Sequence, residues 1–220
     1  MNEYEHEPIP GLPGKLPEGE TILWQGAPSW WSLARRAFHV GEIAGYFVVL
    51  LAWSAMATYR DGGSAYDVAR AGALVIGLAS VAVGVLTLIA WGAAKTTMYT
   101  ITNRRVAMRV GIALPICFNL PFAQIEAAGL KVNADGTGDI PLKLQGEQRI
   151  AYVVLWPHVR PWRLARAEPM LRTVPEASRV AQILGNALAA SAGQPAQAAL
   201  SDAGRAIAAD ANAHAAPVAA

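Results

Sequence analysis

The segment WPHVRPWRLAR, residues 156–166, combines the residue types of this chain that are best suited to binding. Three arginines recur at every third position beside two tryptophans: Arg160, Arg163 and Arg166, with Trp156 and Trp162. Two prolines favour an extended, polyproline-like or turn conformation, in which a period of three keeps one face. Guanidinium forks and amphipathic indoles suit either anionic lipid headgroups or acidic side chains of another protein. The alternative is a solvated basic edge with both indoles in the core.

Residues that could support catalysis or bind a metal are sparse. The four histidines include no pair with metal-ligand helical spacing, and none stands beside a nucleophile in a recognisable motif. DGTGD, residues 135–139, resembles a fragment of a calcium loop but lacks the later bidentate glutamate, so a β-turn is favoured. A single cysteine, Cys117, excludes an intramolecular disulfide and a multi-cysteine metal site. We therefore predict no catalytic residue, no metal site, no cofactor and no enzyme activity.

Two uncharged apolar stretches hold much of the 54% apolar content of the chain. They cover residues 43–59 and 71–94, and a helix that crosses a bilayer needs about 20 such residues. Polar residues are nearly absent from every face of both stretches, which favours two membrane spans over a buried hairpin of a soluble protein. Six basic residues flank the outer ends of the spans and two lie in the connecting loop. This charge bias predicts that both termini are cytoplasmic.

The second stretch carries small residues on one helical face. Their spacings of 4, 3, 4 and 3 place five positions in one stripe: Ala73, Gly77, Ser80, Gly84 and Thr87. Such a stripe lets helix backbones approach closely. It predicts helix packing, either against the first span of the same chain or against a foreign membrane helix.

Strand alternation begins after Lys95 and predicts a β-hairpin. TTMYTIT can extend to Thr102, Asn103 and Arg104 can form the turn, and RVAMRV can return. Seven residues cover about 23 Å at roughly 3.3 Å per residue, so this turn projects away from a membrane at the start of the strand. We therefore expect Arg104 and Arg105 to contact a protein, with lipid contact as the alternative.

Further strands are predicted at CFNL, GLKVN, IPLKL and RIAYVVL, with turn residues between several of them. An amphipathic helix follows at about 175–190. The predicted fold is an α+β membrane protein. A two-helix transmembrane hairpin precedes a small antiparallel β-barrel or sandwich, which a C-terminal amphipathic helix closes.

The chain divides into four predicted regions. An acidic, Pro-rich N-terminal arm with a juxtamembrane segment covers 1–40, and transmembrane helices at about 42–59 and 71–94 lie within 41–94. The β-domain with its closing helix covers 95–190, and an Ala-rich disordered tail covers 191–220. Residues 1–30 carry five acidic and one basic residue, whereas 95–190 carry 12 basic and 6 acidic ones. Opposite charge allows the arm to lie against the β-domain.

Two levels of resemblance to known families appear in these segments. YTITNRRVAMRVG, followed by PFAQIEAAGLKVNADGTGDIPL, resembles the bacterial pleckstrin-homology-like (PH-like) domain found beside membrane helices, and LPEGETILWQGAPSW is similar to its entry segment. A narrower resemblance reaches to about residue 190, through EYEHEPIPGLP, RRAFHV, DGTGDIPL and VLWPHVRPWRLARAEPMLR. These segments resemble the PuhB family of photosynthetic-complex assembly proteins in purple bacteria.

The narrower resemblance implies a non-enzymatic assembly factor for the photosynthetic reaction centre and its core light-harvesting antenna. It would act through its membrane helices and its PH-like domain. Expected partners are reaction-centre and core-antenna subunits and membrane lipids, with a homodimer as a further expectation and no nucleic acid. The expected location is the bacterial inner (intracytoplasmic) membrane, which the chain crosses twice. The alternative is a general membrane-anchored PH-like module that binds lipid or senses stress, and a small enzyme or pigment carrier ranks third.

Overall fold

The computed structural model describes residues 11–12, 14–146, 150–164 and 166–193. The chain separates into two compact units. The helical unit is Trp30–Ala94, and the β unit comprises Met1–Ser29 together with Lys95–Ala220. The tail predicted at 191–220 lies mostly outside the described residues.

Two long apolar helices and one short helix make up the helical unit. Helix α1 is Trp30–Arg36, α2 is Val40–Arg60, and α3 is Ala65–Thr96, of which the last two residues belong to the β unit. Both α2 and α3 are long and apolar enough to cross a membrane, and only 6% of the apolar window of each is buried within the chain. This exposure does not fit a pair of core helices in a soluble protein.

Local sequence explains where these helices begin and pack. The backbone N–H of Ser64 donates to Asp67 at 2.9 Å, and the N–H of Asp67 donates to the Ser64 hydroxyl at 3.3 Å. This reciprocal capping box starts α3 at Ala65. Leu33 and Phe38 pack with three alanines near the end of α3: Ala90, Ala93 and Ala94. Small side chains at these positions allow close approach of the helix backbones.

The first sheet of the β unit has four antiparallel strands in the order β1-β2-β3-β4. Strand β1 is Ile22–Gly26, β2 is Met98–Thr102, β3 is Arg105–Val110 and β4 is Ile116–Pro121. The predicted hairpin is confirmed as β2 and β3, although α3 extends through Thr96. Strand β1 was not predicted, and its residues fall within the region assigned to an N-terminal arm. The 1–40 boundary therefore differs from the structure, since part of the arm is an edge strand of the β unit.

The second sheet is arranged around β7, Gly138–Leu144, which pairs antiparallel with three strands. They are β5 at Ile125–Ala128, β6 at Lys131–Val132 and β8 at Met170–Val174. Within the described ranges no strand pairing joins the two sheets, so the barrel is not closed. The fold is α+β with two antiparallel sheets.

One apolar core lies between the sheets and helix α5, Ala177–Ala192. Tyr99, Val106 and Met108 contribute from the first sheet, and Ile140 and Leu171 from the second. The predicted closing helix is confirmed as α5, which buries Val180 and Leu184 in the same core. The alternation of Val106 and Met108 thus identified the core face of β3 correctly.

The strand predicted for RIAYVVL is wrong. Residues 147–149 lie outside the described residues, and Tyr152–Leu155 form the short helix α4. Only Leu155 of α4 is fully buried, where it packs with Val159 and Ala167 in a small separate cluster. A run of four apolar residues is compatible with a strand or a helical turn, and packing on this cluster decides for the helix.

Candidate functional site

The Trp- and Arg-rich segment folds into a hairpin that precedes β8. Met170 donates its backbone N–H to the His158 carbonyl at 3.0 Å, and Arg160 donates to the Glu168 carbonyl at 3.0 Å. Between these bonds Val159 forms an antiparallel bridge with Pro169. We call residues 158–170 the Arg hairpin and residues 161–167 its tip. The predicted polyproline-like run is therefore replaced by a paired base and a projecting tip.

The three arginines of the hairpin do not form the aligned row that a period of three predicts. Arg160 Nη1 lies 2.9 Å from Glu168 Oε2, and Arg163 Nε lies 3.9 Å from Glu168 Oε1. The Glu168 side chain is 10% exposed, so one nearly buried carboxylate faces two guanidinium groups. Arg166 is exposed. The cationic surface of the tip consequently centres on Arg163 and Arg166.

Both tryptophans of the segment are exposed, which contradicts the alternative that placed them in the core. Trp156 is 47% exposed and Trp162 is 93% exposed. Trp162 also has a left-handed backbone with φ of 65°, a conformation that is costly for a bulky residue. Leu164 is exposed beside it. The tip therefore presents apolar and basic side chains together.

A buried polar network lies beneath the base of the Arg hairpin. His158 is 1% exposed, its Nδ1 lies 2.6 Å from the Tyr99 hydroxyl, and its Nε2 lies 3.0 Å from Thr97 Oγ1. The Tyr99 oxygen accepts a hydrogen bond from the Arg172 backbone N–H at 3.1 Å. The Tyr99 hydroxyl proton is thus available to His158 Nδ1, which assigns the ring proton to Nε2 and a donated bond to Thr97.

The electrostatics of this network keep the imidazole neutral. Burial, together with the neighbouring Arg172 guanidinium, lowers the pKa of His158 to about 3. Burial also raises the pKa of the Tyr99 hydroxyl and lowers the pKa of Arg172. Arg172 Nη1 donates to the Pro157 carbonyl at 2.9 Å, beside the hairpin base. These groups hold β2, β8 and the hairpin together, and sequence reasoning missed them because a lone histidine carries no spacing signal.

The two arginines of the second predicted contact, Arg104 and Arg105, have different surroundings in the structure. Arg105 donates from Nε and Nη2 to the two carboxylate oxygens of Glu20 at 2.8 and 3.1 Å, and from Nη1 to Asn119 at 3.2 Å. The Glu20 side chain is only 2% exposed. Arg104 is exposed beside Gly19. Arg105 therefore binds an acidic residue of its own chain, and Arg104 alone of the pair is open to another molecule.

The small-residue stripe of α3 is mostly exposed within the helical unit. Four members are exposed and the fifth is half-buried: Ala73, Gly77, Ser80 and Gly84, then Thr87. A methyl group placed on Gly77 or Gly84 would meet nothing within 4 Å. A groove of about 260 Å³ between α2 and α3 includes Ser80, but its other α3 residues, among them Val75 and Ala79, lie outside the stripe. Packing of the stripe on another helix stays a prediction.

The first aspartate of DGTGD, Asp135, accepts hydrogen bonds from within its own turn. Asp135 Oδ1 accepts hydrogen bonds from the Thr137 hydroxyl at 2.6 Å and from the Thr137 backbone N–H at 3.2 Å. Gly136 supplies the positive φ of 76° that the turn requires. Among the described residues no group of three or more His, Cys, Asp or Glu side chains is placed to hold a metal ion.

Comparisons with known proteins agree with the resemblance read from the sequence. Residues 37–188 match the family described as Bacterial PH domain. A protein of Rhodobacter capsulatus, described as an uncharacterized 23.7 kDa protein in the puhA 5′ region, is 39% identical over 208 residues. The match covers 94% of this chain and 97% of that relative. No solved structure matches.

Proposed function

Because residues 37–188 match the bacterial PH domain family, the chain belongs to that family, and we propose that it is a membrane-anchored, non-enzymatic assembly factor. Its clients are the photosynthetic reaction centre and the core light-harvesting antenna. The observation that carries the proposal is the full-length relative in the puhA 5′ region of a purple bacterium, which indicates a photosynthesis-related role. Shared length supports a shared arrangement of helices and β unit in the two proteins.

The helical unit supports the membrane part of the proposal. Helices of 21 and 32 residues are long enough to cross the roughly 30 Å hydrocarbon core at about 1.5 Å per residue. Ser80 and Thr87 donate their hydroxyls to backbone carbonyls four residues earlier, so neither presents an unbonded hydroxyl to lipid. We place both termini in the cytoplasm and the chain in the inner (intracytoplasmic) membrane, on the distribution of basic residues.

Two surfaces are available for client subunits. The exposed stripe from Ala73 to Gly84 suits a transmembrane helix of a client, or the same stripe of a second copy in a homodimer. Arg104 and the tip of the Arg hairpin suit acidic side chains or lipid at the membrane surface. A binding role fits a family whose members are typically non-catalytic.

The alternative is a general membrane-anchored PH-like module that binds lipid or senses stress. The exposed Trp162 beside Arg163 and Arg166 favours it, since that combination suits lipid headgroups on any membrane. Loss of such a module would leave photosynthetic complexes intact. The two functions therefore differ in their consequence for pigment–protein complexes.

Deletion of the gene under phototrophic growth tests the proposal. We expect reduced absorbance of assembled reaction centres and core antenna, restored by the wild-type chain supplied in trans. A chain in which Gly77 and Gly84 are replaced by leucine should restore less if the stripe packs on a client helix. Leu78→Val, a change on another exposed position of α3, serves as the matched control. Unchanged absorbance in the deletion strain would overturn the proposal and favour the general module.

A further inference from the structure

The most exposed large apolar side chains of the β unit belong to three separate segments. Within its described residues the five highest are Trp162, Val153, Leu114, Leu164 and Ile112, and Leu114 is 82% exposed. Ile112 and Leu114 lie in the β3–β4 loop, Val153 lies on α4, and the other two lie at the tip of the Arg hairpin. We call these five residues the apolar rim.

Strand register places the β3–β4 loop at one end of the first sheet. Met98, the first residue of β2, pairs with Arg109, and β3 ends one residue later at Val110. The loop with Ile112 and Leu114 therefore lies at the end of the sheet where β2 begins. Thr97 is the residue immediately before that strand.

Hydrogen bonds place the Arg hairpin at the same end. The Tyr99 hydroxyl contacts the Arg172 backbone and His158, and Thr97 contacts His158 again, two residues earlier along β2. Arg172 of β8 lies beside Tyr99, and His158 at the hairpin base reaches Thr97, so the chain from β8 to the hairpin base runs the same way as β2 from Tyr99 back to Thr97. The hairpin base therefore lies beside the start of β2, and the tip that follows it carries the exposed Trp162 and Leu164.

A small apolar cluster connects β4, α4 and the Arg hairpin. Phe118 of β4 packs against the cluster of Leu155, Val159 and Ala167, and Tyr152 packs there as well. This contact brings α4, the hairpin and the strand that follows the β3–β4 loop into one neighbourhood. The three segments that carry the rim residues are therefore joined through one cluster, and exposed apolar side chains gathered on neighbouring segments are typical of contact with a membrane or a partner.

Chain connectivity indicates which of these two contacts the rim makes. The apolar stretch of α3 ends at Ala94, Lys95 follows it, and Thr97 is three residues away, at most about 11 Å along an extended chain. If α3 crosses the bilayer, Thr97 is therefore held at the membrane surface. Residues 111–116 and 150–167 contain no Asp or Glu, and they include Arg163 and Arg166. A basic, apolar surface held there matches an anionic lipid interface.

We propose that the apolar rim inserts into the interfacial layer of the membrane that α2 and α3 cross, with Arg163 and Arg166 at the level of anionic headgroups. This inference rests on the membrane anchoring in the proposed function. It assigns the lipid contact to the β3–β4 loop, α4 and the hairpin tip, and leaves Arg104, at the opposite end of β2, for protein. Docking fixes the orientation of the β unit and restricts which of its faces can meet client subunits.

Lipid-borne quenching of a site-specific fluorophore on the full-length protein tests the insertion. The background variant is Cys117→Ala, and single cysteines carry an environment-sensitive dye at one position each. The sites are Leu164 in the rim, Leu23 on β1 at the opposite end of β2, and Leu78 in α3, all of them exposed leucines. Each protein is reconstituted in phosphatidylglycerol-containing vesicles with quenchers at known depths.

We expect strong quenching at Leu78, clear shallow quenching at Leu164, and little at Leu23. Quenching at Leu78 without quenching at Leu164 would overturn the inference and leave the membrane anchor standing. Absence of quenching at both sites would overturn the anchor as well. Protection of the Leu164 dye by added reaction-centre subunits, without lipid quenching, would assign the rim to a protein and reject the lipid interface.

Replacement of the two tip arginines tests the headgroup contact separately. Arg163→Gln with Arg166→Gln should lower the ratio of docked to undocked β unit by about fivefold per arginine in anionic vesicles, from about 1 kcal/mol per charge. The same variant should behave like its parent in purely zwitterionic vesicles. Equal quenching of parent and variant in anionic vesicles would reject a role for these charges.

Discussion

The β2–β3 turn and the Arg hairpin both bring arginine to the end of a β structure, but their charges meet different surroundings. At the turn, Arg105 forms a two-pronged contact with Glu20, which comes from 85 residues earlier in the chain and is buried beneath it. At the hairpin, Glu168 faces Arg160 and Arg163 together, while Arg166 and Trp162 remain exposed. Arg105 is thus bound within the chain at the turn, whereas Arg166 is exposed at the hairpin, and the acidic residues that the fold places beside each arginine account for the difference.

Removal of Arg105 should produce the largest effect on stability. Arg105→Ala leaves the Glu20 carboxylate buried without its partner, which costs about 3 kcal/mol by comparison with other broken buried pairs. Arg104→Ala, on the exposed neighbour, should change stability by less than about 0.5 kcal/mol. Urea unfolding of the full-length protein in detergent measures both. Equal unfolding midpoints for the two variants would show that the turn is as open as the hairpin tip.

Acid should weaken the hairpin base through His158. Its folded pKa of about 3 lies below the ordinary value of 6.5, so the unfolded chain binds the proton first as pH falls. The contribution to stability is complete above about pH 6.5 and declines between that value and about pH 3. From pH 7 to pH 5 the loss is about 2 kcal/mol.

His158→Gln retains polar contacts but cannot titrate. The free energy of unfolding in urea should therefore fall by about 2 kcal/mol less in the variant than in the parent between pH 7 and pH 5. The variant will be less stable than the parent at pH 7 if the glutamine fits the site imperfectly, and the slope is therefore the informative readout. Identical slopes for parent and variant between pH 7 and pH 5 would contradict the buried neutral imidazole.

Neutralisation of Glu168 should strengthen binding at the hairpin. Glu168→Gln removes the carboxylate that faces Arg160 and Arg163, so the Arg hairpin gains one unit of net positive charge. We expect docking on anionic vesicles to rise about fivefold, from about 1 kcal/mol per added charge. Glu20→Gln is the matched change at the turn and should leave docking unchanged. A similar rise in both variants would indicate a diffuse charge effect with no local hairpin contact.

Truncation of the exposed indole should separate function from stability. Trp162→Ala removes a side chain that is 93% exposed, so the free energy of unfolding should change by less than about 0.5 kcal/mol. Complex yield in cells should fall together with interfacial docking, as it should for Arg163→Glu with Arg166→Glu. Charge reversal of Arg160 is unsuited to this comparison, since it would place two carboxylates side by side near the core. Full complex yield from Trp162→Ala would remove the hairpin tip from the functional account.

Continuous patterns in the sequence predicted much of the fold. Apolar length identified α2 and α3, alternation identified β2 and β3, and the amphipathic period identified α5. Strand β1 escaped because it pairs with β2 across more than 70 residues, and a pairing of that range leaves no local pattern. Strand β8 escaped because its buried residues include Arg172 and Thr173, which read as surface residues.

Residue types in the sequence drew attention to residues 156–166, whose geometry differs from the predicted one. Arginine and tryptophan there indicate a binding segment, which stays a prediction, whereas the aligned row of charges implied by an extended period of three is absent from the structure. The hairpin replaces that row because Arg160 pairs with Glu168 through backbone and side chain. His158 gave no signal because its partners Tyr99 and Thr97 come from a different part of the chain. Contacts between side chains that are far apart in the sequence cannot be predicted from one sequence by local patterns.

Timed copurification with the full-length tagged protein tests the assembly role most directly. After a shift to phototrophic growth, an assembly factor should hold reaction-centre and core-antenna subunits while complexes form, and release them as mature absorbance reaches its plateau. Trp162→Ala should recover less of these subunits than the parent, and Arg104→Ala shows what the turn contributes. Recovery of lipids without either class of subunit at any time would contradict an assembly factor and favour a general membrane-surface module.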